Sequence, residues 1–193
     1  MLLKNQYQVL PATRQEIQPI IEIWHYSKSI NGVKGTYYFK LEDNGKIIGA
    51  IIFGRLAMAG QYRKYCEDES DIIELRRLAC IDNTPQNTES FFISRCLRWL
   101  RQNTRIELIV SYADSNYGHS GTIYKASNFK HIGMTSRGRV ITWNGKKYHD
   151  KTIRTKYKGK LKPFAQRVKD ALESGQAKYV SQEGKHVYLY KLR

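Results

Sequence analysis

Ser111-Tyr-Ala-Asp-Ser-Asn-Tyr-Gly-His-Ser-Gly-Thr-Ile-Tyr124, continuing as Lys-Ala-Ser-Asn-Phe129, decides how this chain is read. An apolar run, Ile106 to Val110, stops at a loop carrying a carboxylate, hydroxyls, an amide and an imidazole. A short helix over about 121–127 and an Asn-Phe turn follow. In an open α/β sheet, chemistry collects at the carboxyl ends of strands. So polar a loop rarely serves packing alone, and strand 106–112 with its exit becomes the anchor of the fold.

Upstream, Asn87 closes a polar loop as a candidate N-cap. Phe92, Ile93, Cys96, Leu97 and Leu100 then form one apolar helical face to about Gln102. A strand over 72–81 precedes that loop. Asp43-Asn-Gly-Lys46 between Tyr37 to Leu41 and Ile47 to Phe53 predicts a hairpin. Thr13-Arg-Gln-Glu16 is a capping box that opens a helix over about 14–25, with Ile17, Ile20, Ile21 and Trp24 at helical spacing. Downstream lie a second hairpin around Asn144-Gly145, a helix near 163–174 and an alternating strand over 187–192. This order of elements is α/β with a mixed sheet.

The chain has 193 residues, the scale of one domain with at most a small appendage. Its net charge of +16 is regional. Arg137 to Arg193 holds 16 basic and 4 acidic residues, whereas the first 136 residues hold 17 and 13. Such a surface is either a solubilising one or the footprint of a polyanion, most simply nucleic acid. Three dispersed cysteines with no CxxC spacing argue against a disulfide framework or structural zinc, and Cys80 and Cys96 read as core fillers. The N-terminus lacks the pattern of a signal peptide. No stretch approaches 18 consecutive apolar residues, so no membrane span is expected and a reducing cytoplasm is the expected location.

The order of elements resembles the GCN5-related N-acetyltransferase fold. Tyr124-Lys-Ala-Ser-Asn-Phe-Lys-His-Ile-Gly133 looks like its closing signature, with Asn128 in place of the usual glycine. Asparagine tolerates positive φ better than most residues, so that swap is mild. A narrower likeness comes from Trp24-His-Tyr-Ser27, Glu74-Leu-Arg-Arg-Leu-Ala79, Asn87-Thr-Glu-Ser90 and Ser111-Tyr-Ala-Asp114…Gly118-His-Ser-Gly-Thr-Ile-Tyr124. In that order these blocks resemble the Mom family of Mu-like phages, a divergent branch of the same superfamily. The resemblance spans about residues 20–135. It implies a mixed twisted sheet flanked by helices, with a basic C-terminal extension. The expected division is an acetyltransferase-like core over residues 1–136 and a basic part over 137–193 that completes the sheet and contacts DNA.

The resemblance also implies an activity, the conversion of adenine in duplex DNA to N6-carbamoylmethyladenine, which protects phage DNA from restriction. The partners would be double-stranded DNA and a small-molecule group donor, met in the host cytoplasm. Acyl-CoA enzymes of the superfamily cradle a pyrophosphate with a Gly-rich loop at a helix start. The corresponding loop here, Ile81-Asp-Asn-Thr-Pro-Gln-Asn-Thr88, has no glycine. Pro85 removes an amide donor and Asp82 carries the wrong charge. Conventional acyl-CoA use is therefore disfavoured and the donor unassigned.

Asp114 at a strand end suits removal of a proton from the weakly nucleophilic adenine amino group, orientation of the base, or metal binding. Its structural alternative is an Asx-turn with Asn116. His25 ends the first helix, where the helix dipole alone favours histidine. The resemblance makes it a catalytic or metal-ligating residue, with Tyr26 and Ser27 beside it as binding residues. His25 and Asp114 together are candidate Fe or Zn ligands, although no fixed spacing supports them. Tyr124 takes the superfamily's general-acid or cofactor-contact position, or else simply packs. Arg76 and Arg77 are neighbours on a strand, so their side chains are expected on opposite faces, one entering the cleft. Ser90, Ser111, Ser115 and Asn116 are candidate hydrogen-bonding groups, His119 a phosphate or loop contact, and Tyr26 and Tyr117 stacking platforms.

Lys146, Lys147, Lys151, Arg154, Lys156, Lys158, Lys160 and Lys162 are the candidate DNA contacts. The last four alternate, which on an extended strand lines one face with ammonium groups. Two other readings compete. One is an acyl-CoA-dependent acetyltransferase of protein or small amines, and the other a non-catalytic DNA binder on the same scaffold.

Overall fold

The computed structural model describes residues 7–193. The reading of the first residues as free of a signal peptide falls partly outside that range. The chain divides into two units, one of residues 1–133 with 186–193 and one of residues 134–185.

The first unit is a seven-stranded sheet. Its strands are β1 (Tyr7–Pro11), β2 (Tyr37–Asp43), β3 (Lys46–Gly54), β4 (Ile72–Cys80), β5 (Leu108–Ala113), β6 (Lys130–Met134) and β10 (His186–Lys191). They lie in the order β1-β2-β3-β4-β5-β10-β6. β1 to β4 are antiparallel neighbours, β4 and β5 are parallel, and β10 returns antiparallel to β5. Asn44 and Gly45, both at positive φ, make the tight β2–β3 turn that their types demand.

Helix α1 (Arg14–Trp24) starts at the capping box: Thr13 Oγ1 accepts from the Glu16 amide, and the Glu16 carboxylate accepts from the Thr13 amide at 2.7 Å. Ile17 and Ile21 bury against Ala50, Ile52 and Ala79 on one face of the sheet. Helices α2 (Thr88–Asn103) and α3 (Thr122–Ala126) belong to the opposite face. There Phe92, Ile93, Cys96, Leu97 and Leu100 meet Phe39, Ile51, Leu75 and Ile109, as the apolar helical stripe predicts. Asn87 does sit at the start of α2, but in the left-handed region (φ 71°) and without a side-chain cap. Asn128 also has positive φ (63°), so it meets the conformational demand of the glycine it replaces.

The second unit contains β7 (Gly138–Trp143), β8 (Lys146–His149), α4 (Pro163–Glu173) and β9 (Lys178–Gln182), with strand order β8-β7-β9. Ile141, Val168, Ala171 and Ala177 form its small core. Buried Asp150 ties it together, held by Arg154 at 2.5 Å, Arg139 at 3.8 Å and the Tyr179 hydroxyl at 3.1 Å. Lys156 to Lys162 do not form the extended strand on which all four lysines would share a face. Tyr157 and Lys160 bridge a tight turn whose centre, Lys158 and Gly159, has positive φ. Lys158 and Lys162 instead approach the Tyr157 ring, at 5.8 and 6.0 Å from its centroid. Alternating lysines share a face only while the backbone stays extended, and Gly159 ends that extension.

Candidate functional site

Parallel pairing of β4 with β5 runs from Ile72–Leu108 to Leu75–Ser111 and stops. Both strands continue, β4 against β3 and β5 against β10. The sheet therefore forks after Leu75 and Ser111, and side chains satisfy backbone carbonyls of β4 there. The Ser111 hydroxyl donates to the Leu75 carbonyl at 3.4 Å, and Arg77 Nη1 donates to the Arg76 carbonyl at 2.8 Å.

At the fork β4 is irregular. Ile52 faces Arg77 and Phe53 faces Leu75, leaving Arg76 as the extra residue of a β-bulge. Ile73, Leu75, Leu78 and Cys80 all pack into the core on the α2 side. Both arginines consequently lie off that face, which corrects the expectation of opposite faces: the bulge shifts the two-residue alternation by one. Arg76 Nη1 donates to the Arg55 carbonyl at 3.0 Å and reaches the buried Glu74 carboxylate at 3.4 Å. The Nε atoms of Arg76 and Arg77 are buried without a protein partner.

β5 delivers Asp114 to the other side of the fork. Its Oδ1 accepts from the Asn116 amide at 3.1 Å and from Asn116 Nδ2 at 2.9 Å, so the Asx-turn is present and orders the loop. His119 donates its backbone amide to the Asp114 carbonyl at 3.2 Å. Beneath the loop, the fully buried Tyr188 of β10 donates its hydroxyl to the Ser120 carbonyl at 2.6 Å. Gly121, at φ +78°, lies directly on the Tyr188 ring, where a Cβ would have no space.

The end of α1 comes to the same place. The Tyr26 ring lies 4.3 Å from the His25 ring, 4.7 Å from Tyr117 and 5.0 Å from His119, centroid to centroid. Arg14 fixes the segment after α1 by donating to the Ile30 and Val33 carbonyls. His25 is buried, and its Nδ1 accepts from the Ser27 amide at 3.1 Å and contacts the Ser27 hydroxyl at 2.8 Å. Burial, with the charges of Arg77, His119 and Lys28, pushes the imidazole down to about 4. At neutral pH the ring is uncharged. The hydrogen-bond pattern assigns Nδ1 as the acceptor and puts the ring proton on Nε2, a neutral donor.

Tyr124, from α3, reaches the fork from the opposite side and hydrogen-bonds Ser111. Burial pushes its phenol up to about 12 despite that bond, so it stays protonated at neutral pH. His25, Tyr26, Ser27, Arg76, Arg77, Ser111, Asp114, Ser115, Asn116, His119 and Tyr124 thus belong to the fork or the two segments that border it. Ser90 does not. It donates to the Asn87 carbonyl at 3.0 Å and lines a separate groove of about 430 Å³ with Arg98, Arg101 and Asn128. Glu74, quoted above only as part of the Glu74-to-Ala79 block, and Tyr188, which has no sequence signal, both support the site. All eight candidate DNA-contacting residues are exposed in the second unit, though Arg154 is engaged by Asp150. Among the described residues no group of three or more His, Cys, Asp or Glu is arranged to hold a metal. None of their helices is long and apolar enough to cross a membrane.

A forked mixed sheet with helices on both faces is the N-acetyltransferase fold, and solved structures agree. The protein superposes on an N-acetyltransferase from Staphylococcus aureus with a TM-score of 0.52 at 14% identity, covering 97% of this chain and 99% of that one. A GNAT family acetyltransferase from Elizabethkingia anophelis gives 0.55 at 10% identity, covering 97% and 99%. Spermidine/spermine N-acetyltransferase from Vibrio cholerae gives 0.54 at 9%, covering 99% and 95%. Within that fold the chain belongs to the Mom protein family, whose profile matches residues 6–193. It is 30% identical over 138 residues to the methylcarbamoylase Mom of Escherichia phage Mu. That match covers 69% of this chain and 56% of the relative, so the chain spans little more than half of the relative's length.

Proposed function

We propose that the fork is the active site of a transferase that places a carbamoylmethyl group on the exocyclic amino nitrogen of adenine in double-stranded DNA. The observation that supports this most is the meeting of Asp114's loop with the His25 end of α1 through the Tyr26 ring. In the reaction a bond forms between the adenine nitrogen and the methylene carbon of the group. The bond from that carbon to its carrier breaks, and the carrier leaves with the electron pair. The nitrogen gives up one proton, for which the Asp114 carboxylate is the acceptor at the strand end. Neutral His25 supplies a hydrogen bond to the amide oxygen of the group, and protonated Tyr124 a proton for the departing carrier.

Access demands that the base leave the stack, at a cost of a few kcal/mol. Tyr117 and Tyr26, both exposed, offer ring faces for it. The second unit, with 14 basic and 4 acidic residues, supplies phosphate contacts.

Nucleoside mass spectrometry of plasmid DNA co-expressed with the protein tests the proposal. The expected result is a modified deoxyadenosine whose mass gain equals a carbamoylmethyl group replacing hydrogen; only unmodified deoxyadenosine beside soluble protein overturns it. An acyl-CoA-dependent N-acetyltransferase is the second reading, favoured by the fold and by the α2 groove with Arg98 and Arg101. It requires acetyl-CoA binding measurable by calorimetry, against which stand Asp82, Pro85 and the glycine-free loop.

A further inference from the structure

His131 on β6 and His186 on β10 meet across neighbouring strands, and His186 is registered opposite Ala113, the residue before Asp114. His131 Nε2 and His186 Nδ1 share a hydrogen bond of 3.1 Å, whose proton a bound cation would replace, and the ring centroids are 5.2 Å apart at 55°. His131 is exposed and His186 half-buried, so neither ring is forced into this pose by core packing. Two imidazole nitrogens bound side by side to a metal, at about 2.0–2.1 Å each, are held about 2.9–3.4 Å apart. The observed separation falls inside that bite.

We propose that His131 and His186 form a binding site for a borderline divalent cation of the zinc and copper class, with water completing the coordination sphere. Imidazole nitrogen selects this class over magnesium or calcium, which take oxygen ligands. Two protein ligands set a moderate affinity. The site has a supporting wall: the Tyr188 ring packs 5.1 Å from His131, and the same side chain props the Asp114 loop through Ser120. A cation here would fasten β6, which forms one edge of the sheet, to β10. Both ligands belong to the first unit, and the inference needs neither DNA nor a group donor.

Calorimetric titration of the full chain with Zn²⁺ tests it, in a buffer that does not chelate metals. One ion should bind per chain with micromolar affinity, and His131→Ala and His186→Ala should each weaken binding at least tenfold. His149→Ala, in the second unit, should leave it unchanged. With Cu²⁺ the spin-resonance spectrum should show nitrogen coupling in the wild type that His131→Ala removes. Circular dichroism confirms folding; His131 is exposed on an edge strand, so its variant alone decides the matter if His186→Ala does not fold. Absence of binding by the wild type, undiminished binding by His131→Ala, or abolished binding in His149→Ala would each overturn the assignment.

Discussion

Tyr26 and Tyr117 lie with ring centroids 4.7 Å apart, and this contact holds the end of the first helix against the loop that leaves β5. Tyr26 also touches His25 and His119, so one ring joins the two segments that border the fork. Aromatic pairs contribute about 0.5–1.5 kcal/mol beyond area burial. Tyr26→Ala should therefore lower stability by roughly 1–2 kcal/mol in urea unfolding, with Tyr26→Phe close to wild type. Equal destabilisation in both would move the role from ring to hydroxyl.

His25 confers a pH dependence of definite sign. Its folded value, about 4, lies below the unfolded reference of 6.5, so between them the unfolded chain binds more protons. Stability from this group is complete above about pH 6.5 and falls as acid is added, levelling below about pH 4, a decrease on the order of 3 kcal/mol. Thermal melting of His25→Gln should fall less than wild type between pH 7 and 5. Parallel curves would show that the imbalance lies elsewhere.

Asp114 has two separable duties. Asp114→Asn keeps an oxygen to accept from Asn116 but removes the charge. Product formation should drop about 10²–10⁴-fold, the usual contribution of a positioned base, with melting temperature nearly unchanged. Asp114→Ala should lose activity and also about 1 kcal/mol of stability through the missing turn bond. Full activity in the asparagine variant would reduce the residue to its turn.

Gly121 has positive φ and its Cα faces the Tyr188 ring. Gly121→Ala adds backbone strain to overpacking, and a destabilisation of about 2–4 kcal/mol is expected in chemical denaturation. The doubly substituted Gly121→Ala, Tyr188→Leu chain should recover part of it.

Lys156, Lys158 and Lys160 are exposed around the turn at Gly159. Their joint replacement by glutamine should weaken duplex binding and flatten the plot of log affinity against log salt by about 0.9 for each phosphate no longer neutralised. An unchanged slope would remove the turn from the interface.

The helices and hairpins are legible in sequence because their signals are local. Thr13 and Glu16 cap each other within one turn, Asn44-Gly45 closes its own hairpin, and the Phe92-to-Leu100 stripe has one period. Features that depend on partners distant in sequence are not. β1 carries no such local signal, nor do β6 and β9, whose residues are mostly exposed and show no buried face. The bulge at Arg76 exists only relative to β3, so counting along β4 alone puts the two arginines on opposite faces. The block from Ser111 to Tyr124 is legible as a strand exit rich in polar groups. Its support by Tyr188 is not, since that side chain arrives from the last strand.

β10 is the last strand of the chain yet lies inside the sheet, between β5 and β6. On the ribosome, β1 to β5 emerge and can pair in sequence, but the far edge of β5 must wait until the whole basic unit has been translated. Assembly of the fork thus waits for the translation of β10. Chains released early would carry the catalytic candidates on an unsupported loop, with an exposed strand edge prone to association.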